Sequence, residues 1–240
     1  MSEAFPYLNE HRRVEFPSPL EAGPEGLVAV GGNLSPGVLL SAYSQGVFPW
    51  YSEGEPLLWW SPDPRFVLFP SEIHIPKSLR RTLNKGRFTY SLDRAFTDVI
   101  VGCSETPRHA QGGTWITDDM VAGYVKLHEL GYAHSVEVWD GEVLAGGLEG
   151  VSLGGMCFGE SMFTRVPDAS KAGFVTFVKL LERHEFDCVD SQMYTEHLDR
   201  FGARDMDRSD FLDLLSVSLE RPTLKGDWQE LLGTPRPDGD

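Results

Sequence analysis

Two short segments place polar groups where acyl transfer would need them. GESMFTR (residues 159–165) sets Glu160 in an otherwise apolar run, and VDSQ (residues 189–192) sets Asp190 and Gln192 two positions apart. Burying a lone carboxylate is costly, so Glu160 needs a partner or a function. Side chains two apart in a strand share a face, so Asp190 is placed to accept from the Gln192 amide or from a ligand ammonium. Together the segments predict one site for acyl-transfer chemistry.

Both segments also have purely structural interpretations. Glu160 on an edge strand would be solvated or paired with Arg165, and Asp190 would lie at a solvated strand end.

Cys188 and His197 are a candidate nucleophile and base for a hydrolase. However, the apolar run around Cys188 favours a buried, inert thiol.

The cysteines and histidines predict neither a disulfide framework nor a metal centre. The chain has three cysteines, an odd number without a C-x-x-C pair, which fits a reducing compartment. Cys157 lies in an apolar run like that of Cys188, and His128 and His134 are not spaced as a metal-binding pair. We therefore expect no metal.

The charge is strongly negative but unevenly spread. A net charge of -15 argues against general affinity for nucleic acid, yet residues 74–88 hold five basic and no acidic residues. We call this segment the basic strip; its cations are Lys77, Arg80, Arg81, Lys85 and Arg87.

Neither a signal-peptide pattern nor a run of about 20 apolar residues is present, so we expect a cytoplasmic protein.

Aromatic residues cluster in segments that read as loops. They are Phe48, Trp50, Tyr51, Trp59, Trp60 and Trp115. Such rings either form the core of a small domain or stack on unpaired bases, at about 1–3 kcal/mol per base. Beside the basic strip, stacking would suit a single-stranded RNA end.

Regular elements must position these residues. In the N-terminal part, Gly and Pro punctuation leaves room for one helix over residues 35–45, and a second helix begins at Pro76. Further along, a helix capped by Thr117 precedes three strands, of which the first two join at an Asp-Gly turn. A helix capped by Asp168 and a short strand through FDCVDSQM follow.

This order predicts an α+β fold that resembles the acetyltransferase-like (GNAT-type) core. We expect a small N-terminal domain over residues 1–65, a catalytic domain over residues 66–220 and a loosely packed tail over residues 221–240. Users of acetyl-CoA carry a glycine-rich loop after the last meander strand, but residues 164–171 contain no G-x-G. An acetyl-CoA-dependent N-acetyltransferase is therefore a disfavoured alternative. A non-catalytic reader of basic N-termini is another.

A series of motifs covers most of the chain, from about Phe16 to about Phe211. In order they are GLVAVGGNLSP, AYSQGVFPWY, LLWWSPDPR, GTWIT, LHELGYAHSVEVW, GESMFTR, ASK, VDSQ and HLDRFGA. FPWY followed by WWSPDPR is highly specific. Taken together, the motifs resemble those of the leucyl/phenylalanyl-tRNA–protein transferases.

The resemblance implies an enzyme that moves leucine or phenylalanine, and less readily methionine, from aminoacyl-tRNA to a protein. The acceptor is the α-amine of a protein beginning with Arg or Lys, which is thereby marked for degradation by the N-degron pathway. The resemblance further implies a monomer that needs no cofactor.

The resemblance also assigns roles to individual residues. Asp190 polarises the Gln192 amide, whose oxygen holds or activates the incoming amine, and Glu160 orients the ester or the amine. The aminoacyl pocket corresponds to Met162, Phe174, Phe177 and Val189, with Cys157 and Ser161 beside them. The terminal adenosine corresponds to Trp50 and Trp115, and the tRNA acceptor stem to Lys77, Arg80 and Arg81.

Three departures from the family pattern bear on these roles. Ser44-Gln45 stands where family members often carry a basic residue before the glycine, which removes one expected phosphate contact. Ser191 replaces a common cysteine, so that cysteine is not a nucleophile. Phe174 is bulkier than the usual aliphatic residue, which bears on the choice between leucine and phenylalanine.

Overall fold

Two β-sheets organise the chain, one of three strands and one of seven. The computed structural model describes residues 5–106 and 116–233. The strands are β1 (Leu27–Val30), β2 (Phe48–Pro49), β3 (Leu58–Trp60), β4 (Arg65–Leu68), β5 (Thr89–Leu92), β6 (Ala133–Asp140), β7 (Val143–Leu153), β8 (Met156–Thr164), β9 (Cys188–Asp190) and β10 (Arg204–Met206). The helices are α1 (Pro36–Ser44), α2 (Lys77–Asn84), α3 (Phe96–Ser104), α4 (Asp118–Glu129), α5 (Ala169–Arg183), α6 (Glu196–Asp199) and α7 (Arg208–Ser218).

The small sheet belongs to the N-terminal region, with β3 paired antiparallel between β1 and β2. Beside it, α1 begins at Pro36 and ends before Gly46, whose φ of +74° suits the chain reversal. Ser35 occupies the N-cap position, but its hydroxyl accepts from the Leu8 N–H at 3.0 Å. The residue that we expected to cap α1 therefore fixes the N-terminal segment instead.

Gln45, at the first departure from the family pattern, has structural partners in the same segment. Its Oε1 accepts from the Phe16 N–H at 2.9 Å, and its Nε2 donates to the Val14 carbonyl at 3.0 Å. The neutral side chain at this position holds residues 14–16 against the end of α1.

The large sheet has the order β10-β4-β9-β8-β7-β6-β5. Its centre is an antiparallel meander of β6, β7 and β8, and β9 then pairs parallel to β8. The crossover between these parallel strands is α5, as a βαβ connection requires. The predicted order of helix, three-stranded meander, helix and strand is confirmed, and the fold is α+β.

The two predicted caps on this sheet's helices have different outcomes. The Thr117 hydroxyl accepts from the Met120 N–H, which confirms the cap of α4. Asp168 precedes α5 as expected, but it has a φ of +68° and does not cap the helix. Its carboxylate accepts from the Thr82 hydroxyl at 3.2 Å and pairs with Lys171 at 3.1 Å. Asp168 therefore links α5 to α2.

One cluster of buried side chains joins the N-terminal region to the large sheet. It includes Leu39 of α1, Trp59 of β3 and Phe158 of β8, each no more than 1% exposed. Arg65, at the predicted domain boundary, already belongs to the large sheet as the first residue of β4. Within the described residues, no helix is long and apolar enough to cross a membrane.

The C-terminal segment is anchored by a tryptophan. Trp228 is 2% exposed, and its indole stacks on the His134 ring with centroids 3.7 Å apart. The Trp228 backbone N–H donates to Asp93 Oδ2 at 2.9 Å, and His134 Nδ1 lies 2.8 Å from the same oxygen. Trp228 therefore attaches the described part of the tail, residues 221–233, to the body, while neighbouring residues such as Lys225 and Gln229 are exposed. The loose packing that we expected of the tail as a whole stays a prediction.

Trp228→Ala should lower the free energy of unfolding by about 3–5 kcal/mol, because a large aromatic side chain would leave a buried site. Urea unfolding followed by circular dichroism measures the change. Tyr7→Ala, at a position that is 63% exposed, serves as the control and should change it by less than about 0.5 kcal/mol. A similarly small effect of Trp228→Ala would contradict the anchoring role.

Candidate active site

A cavity opens where the parallel strands β8 and β9 part. Their last paired residues are Phe158 and Asp190. Beyond this pair β8 stays with β7, whereas the chain after β9 turns towards β4, and the Ser191 N–H donates to the Phe66 carbonyl at 2.9 Å. The cavity has a volume of about 470 Å³, and its wall includes Glu160 and Gln192. The two segments that the sequence singled out therefore meet at one site.

Glu160 is held from both sides by hydrogen-bond donors. Its Oε2 accepts from the Tyr124 hydroxyl at 3.0 Å, and its Oε1 accepts from Gln192 Nε2 at 3.3 Å. Tyr124 in turn shares a hydrogen bond with the hydroxyl of Tyr43, and both tyrosines are buried. Arg165 instead lies 3.9 Å from Glu105, so the expected alternative of a Glu160–Arg165 pair is wrong.

Burial raises the pKa of Glu160 to about 7, although hydrogen bonds from Tyr43 and Tyr124 oppose the shift. The nearby Asp190 charge adds to the increase, and Arg65 counteracts it. Burial also raises the pKa of both tyrosines, which therefore stay protonated as donors. At neutral pH, Glu160 is accordingly poised to gain or lose a proton.

Gln192 lies outside the strand in which the sequence placed it. β9 ends at Asp190, and Gln192 has a φ of +59°, in the left-handed region. The expectation that Asp190 and Gln192 share one strand face is therefore wrong. Asp190 Oδ1 accepts from the backbone N–H of Gln192 at 2.9 Å, and the Gln192 side chain bonds to Glu160 instead.

Asp190 forms a buried ion pair with Arg65, which the sequence analysis missed. Arg65 Nε donates to Asp190 Oδ1 at 2.8 Å and Nη2 donates to Oδ2 at 2.6 Å, with both side chains 0% exposed. The guanidinium also donates to the Gly46 carbonyl at 3.2 Å and lies against the rings of Phe48 and Phe211. One sequence signal was present, because an arginine that opens the apolar run RFVLF needs an acidic partner.

Apolar side chains form the other wall of the cavity. Met162 comes from β8, Phe174 and Phe177 from α5, and Val189 from β9, and the polar Ser161 of β8 lies beside them in the cavity lining. Leu148 of β7 joins them, a residue that the sequence analysis did not select. The apolar residues of α5 lie on its buried face, and the same face brings its phenylalanines to the cavity.

The cysteines do not reach this cavity. Cys157, which we expected beside the pocket, is 1% exposed and is not among the residues that line the wall. Its side chain therefore lies behind the cavity surface. Burial raises the pKa of the Cys157 and Cys188 thiols, which disfavours the thiolate that a nucleophile needs. Within the described residues, no three His, Cys, Asp or Glu side chains group as metal ligands.

Of the two tryptophans selected from the sequence, Trp50 lines the cavity beside Phe48. Its carbonyl accepts from the Trp60 indole N–H at 2.7 Å, and the two rings meet edge to face at 6.0 Å. Trp115 lies outside the described residues. The Trp50 ring packs on Trp60, as in a small-domain core, and it also forms part of the cavity wall, where a base could stack.

The basic strip lies on and after α2. Its five cations are all exposed, and the helix is anchored by Leu79, which is 3% exposed. Arg87 pairs with Asp140 at 2.5 Å, so its charge is partly compensated. α2 contacts α5, the helix that brings Phe174 and Phe177 to the cavity. The strip therefore forms an exposed cationic surface next to the element that supports the site.

Arg65→Met should lower the free energy of unfolding by about 3–5 kcal/mol, because the Asp190 carboxylate would stay buried without its partner. Adding Asp190→Leu should recover much of the loss in urea unfolding, since no unpaired charge remains. Arg204→Met breaks an exposed pair with Glu72 and should have a far smaller effect. If Arg65→Met and Arg204→Met lowered the free energy of unfolding equally, burial of the Arg65–Asp190 pair would have no special role.

Glu160 should make stability fall as pH rises towards 7. The unfolded chain loses this proton near the ordinary pKa of 4.5, whereas the native chain keeps it up to about pH 7, so the native state binds more protons in between. From about pH 5.5 to about pH 7.5, the wild type should lose on the order of 2 kcal/mol relative to Glu160→Gln. Urea unfolding at several pH values measures the difference. If the free energies of unfolding of the wild type and Glu160→Gln changed in parallel with pH, the raised pKa of Glu160 would be contradicted.

Comparison with known proteins identifies the family. The family model described as leucyl/phenylalanyl-tRNA protein transferase matches residues 67–216, and the model of that family's N-terminal domain matches residues 32–63. A leucyl/phenylalanyl-tRNA–protein transferase of Anaeromyxobacter sp. (strain Fw109-5) is 55% identical over 228 residues, which cover 95% of this chain and 97% of the relative.

A second relative, the enzyme of the same name from Myxococcus xanthus (strain DK1622), is 52% identical over 92% of this chain and 94% of its own. Among solved structures, a GCN5-related N-acetyltransferase from Kribbella flavida aligns with a TM-score of 0.35 and 9% identity, covering 72% of this chain and 62% of that chain. The extent and identity of the sequence matches show that this chain belongs to the leucyl/phenylalanyl-tRNA–protein transferase family and is an aminoacyltransferase.

Proposed function

We propose that this enzyme transfers leucine or phenylalanine, and less readily methionine, from aminoacyl-tRNA to proteins with N-terminal Arg or Lys. The modified proteins would enter the N-degron pathway of degradation in the cytoplasm. The enzyme would work as a monomer and without a cofactor. The observation that carries the proposal is the hydrogen-bonded pair of Glu160 and Gln192 beside an apolar cavity.

The chemistry asks little of the protein beyond positioning. The aminoacyl ester is already activated, and an α-amine with a pKa of about 7.7–8.0 is partly neutral at cytoplasmic pH. Its nitrogen attacks the ester carbonyl, a C–N bond forms, and the bond to the ribose oxygen breaks. The proton lost by the amine passes to that oxygen, which leaves as a hydroxyl. Holding the two reactants together supplies much of the rate.

Gln192 and Glu160 suit the handling of the amine. Because Gln192 Nε2 donates to Glu160, the amide oxygen is the group left to accept from the incoming amine. Glu160, with its pKa raised to about 7, can take up a proton from the amine and return it to the leaving oxygen. Tyr124, which donates to Glu160, would keep the carboxyl group oriented in both protonation states.

The apolar wall suits the donor side chain. Met162, Phe174, Phe177 and Val189 offer a surface without charge for leucine or phenylalanine. One methylene is worth only about 1–3 kcal/mol in such a pocket, so we expect graded preference rather than strict choice. Trp50, and Trp115 outside the described residues, would stack on the terminal adenosine of the tRNA.

The charge distribution suits the two macromolecular substrates. Exposed Lys77, Arg80 and Arg81 would contact phosphates of the tRNA acceptor stem. Two carboxylates, Glu149 and Glu160, lie in the cavity wall, where they would favour a cationic N-terminus. The acidic remainder of the chain would repel RNA that is not on the basic strip.

A direct test mixes the enzyme with leucyl-tRNA and a peptide that begins with Arg. Mass spectrometry should find the peptide heavier by one leucyl residue, and a matched peptide that begins with Glu should stay unchanged. Gln192→Ala should slow transfer by about 100-fold and leave leucyl-tRNA binding nearly intact, because positioning is lost and the tRNA contacts remain. Absence of transfer by the folded wild type would refute the proposal. If Gln192→Ala reduced transfer and leucyl-tRNA binding equally, Gln192 would serve binding only.

Reversing Lys77, Arg80 and Arg81 to Glu should weaken tRNA binding and flatten its dependence on salt. If each residue contacts one phosphate, the slope of log affinity against log salt should fall by about 2–3. Fluorescence anisotropy of labelled tRNA at several salt concentrations measures the slope. An unchanged slope would remove these residues from the interface.

A further inference from the structure

We propose that Arg65 is a positioning residue of the transfer reaction, acting on Gln192 through Asp190. The inference rests on the proposed function, since it assumes that Gln192 handles the amine. It assigns Asp190 a different task from polarising the Gln192 side-chain amide. Three contacts lead from the core to the cavity.

The first contact fixes Asp190. Two parallel N–H···O bonds, at 2.8 and 2.6 Å, join the planar guanidinium of Arg65 to both carboxylate oxygens. Such a fork allows one orientation of the carboxylate. Arg65 is packed in turn, because its guanidinium lies 4.9 Å from the Phe48 ring centre and 4.5 Å from that of Phe211. Asp190 is thereby held rigidly, and it does not line the cavity.

The second contact fixes the backbone of Gln192. Asp190 Oδ1, already held by Arg65 Nε, also accepts from the Gln192 N–H at 2.9 Å. The Gln192 carbonyl accepts from the N–H of Phe66, the residue after Arg65, at 3.2 Å. These bonds hold Gln192 at a φ of +59°, which is unfavourable for a residue with a side chain. β4 therefore holds the Gln192 carbonyl directly, through Phe66, and the Gln192 N–H through the Arg65–Asp190 pair.

The third contact is the functional one. From its left-handed backbone, Gln192 extends its amide to Glu160 at the cavity wall. An extended residue at this position would point its side chain elsewhere, so the backbone conformation decides where the amide lies. A displacement of about 1 Å at a reacting centre can cost about 100-fold in rate. Arg65 thus controls catalysis without touching a substrate.

The test is a double-mutant cycle with Arg65→Lys and Gln192→Ala. Lysine keeps the positive charge but cannot form the two parallel bonds. In leucyl transfer to an Arg-initiated peptide, Arg65→Lys should lower kcat by about 100-fold, with the KM for the peptide and the Kd for leucyl-tRNA nearly unchanged. In the Gln192→Ala background the same change should lower kcat by less than about threefold, because the group that Arg65 positions is already gone.

The control is Arg204→Lys, the same change in an exposed ion pair on the neighbouring strand β10, which should leave kcat unchanged. Equal losses from Arg65→Lys in both backgrounds would overturn the inference and leave Arg65 a residue of stability alone. An unchanged kcat for Arg65→Lys would overturn it as well. If the wild type transfers no leucine, the proposed function fails first, which is a separate result.

Hydrogen exchange of the wild-type protein tests the middle contact even if Arg65→Lys does not fold. The Gln192 amide should exchange as slowly as the Phe66 amide, because both hydrogens are bonded inside the protein. Slow exchange supports the inference. Exchange of Gln192 as fast as that of the exposed Tyr194 would overturn it, since Asp190 would then not hold this N–H.

Discussion

The site depends on one buried ion pair, that of Arg65 and Asp190. Two desolvated charges are stable only when each is fully paired and hydrogen-bonded, so the surrounding chain must meet a strict geometry. The Gly46 carbonyl, the rings of Phe48 and Phe211, and the N–H of Gln192 complete that geometry. The ion pair thereby connects the N-terminal region, β4, β9 and α7 at one point behind the cavity.

The cavity in front of the pair follows from strand topology. β8 and β9 run parallel and separate after Phe158 and Asp190, which exposes the residues that follow on each strand. One carries Glu160 and the other leads to Gln192, so a carboxyl group and an amide meet in the gap. The burial that raises the pKa of Glu160 comes from the same packing that gives the cavity its apolar side chains. On the proposed function, the acid–base capacity and the aminoacyl pocket would both be consequences of this one arrangement.

Local patterns predicted the elements well but not the contacts that tune the site. Periodicity and turn signals predicted the meander, α5 and the Thr117 cap, because these depend on residues a few positions apart. The placement of the two polar segments predicted that Glu160 and Gln192 share one site, and motif resemblance assigned them their roles. The role of Arg65 was missed because its partner lies 125 positions away, and the left-handed Gln192 was missed because its backbone is held by that pair. Trp228 was missed for the same reason, since its partners Asp93 and His134 lie far along the chain.

On the proposed function, this cavity holds the aminoacyl ester next to Gln192. The most direct measurement is a crystal structure with a leucyl-adenosine analogue in which an amide replaces the ester. The leucyl side chain should lie against Phe174 and Phe177, with its carbonyl carbon beside the Gln192 amide and the adenine near Trp50. A leucyl group bound outside the cavity, or a carbonyl carbon beyond reach of Gln192, would rule out this placement of the ester.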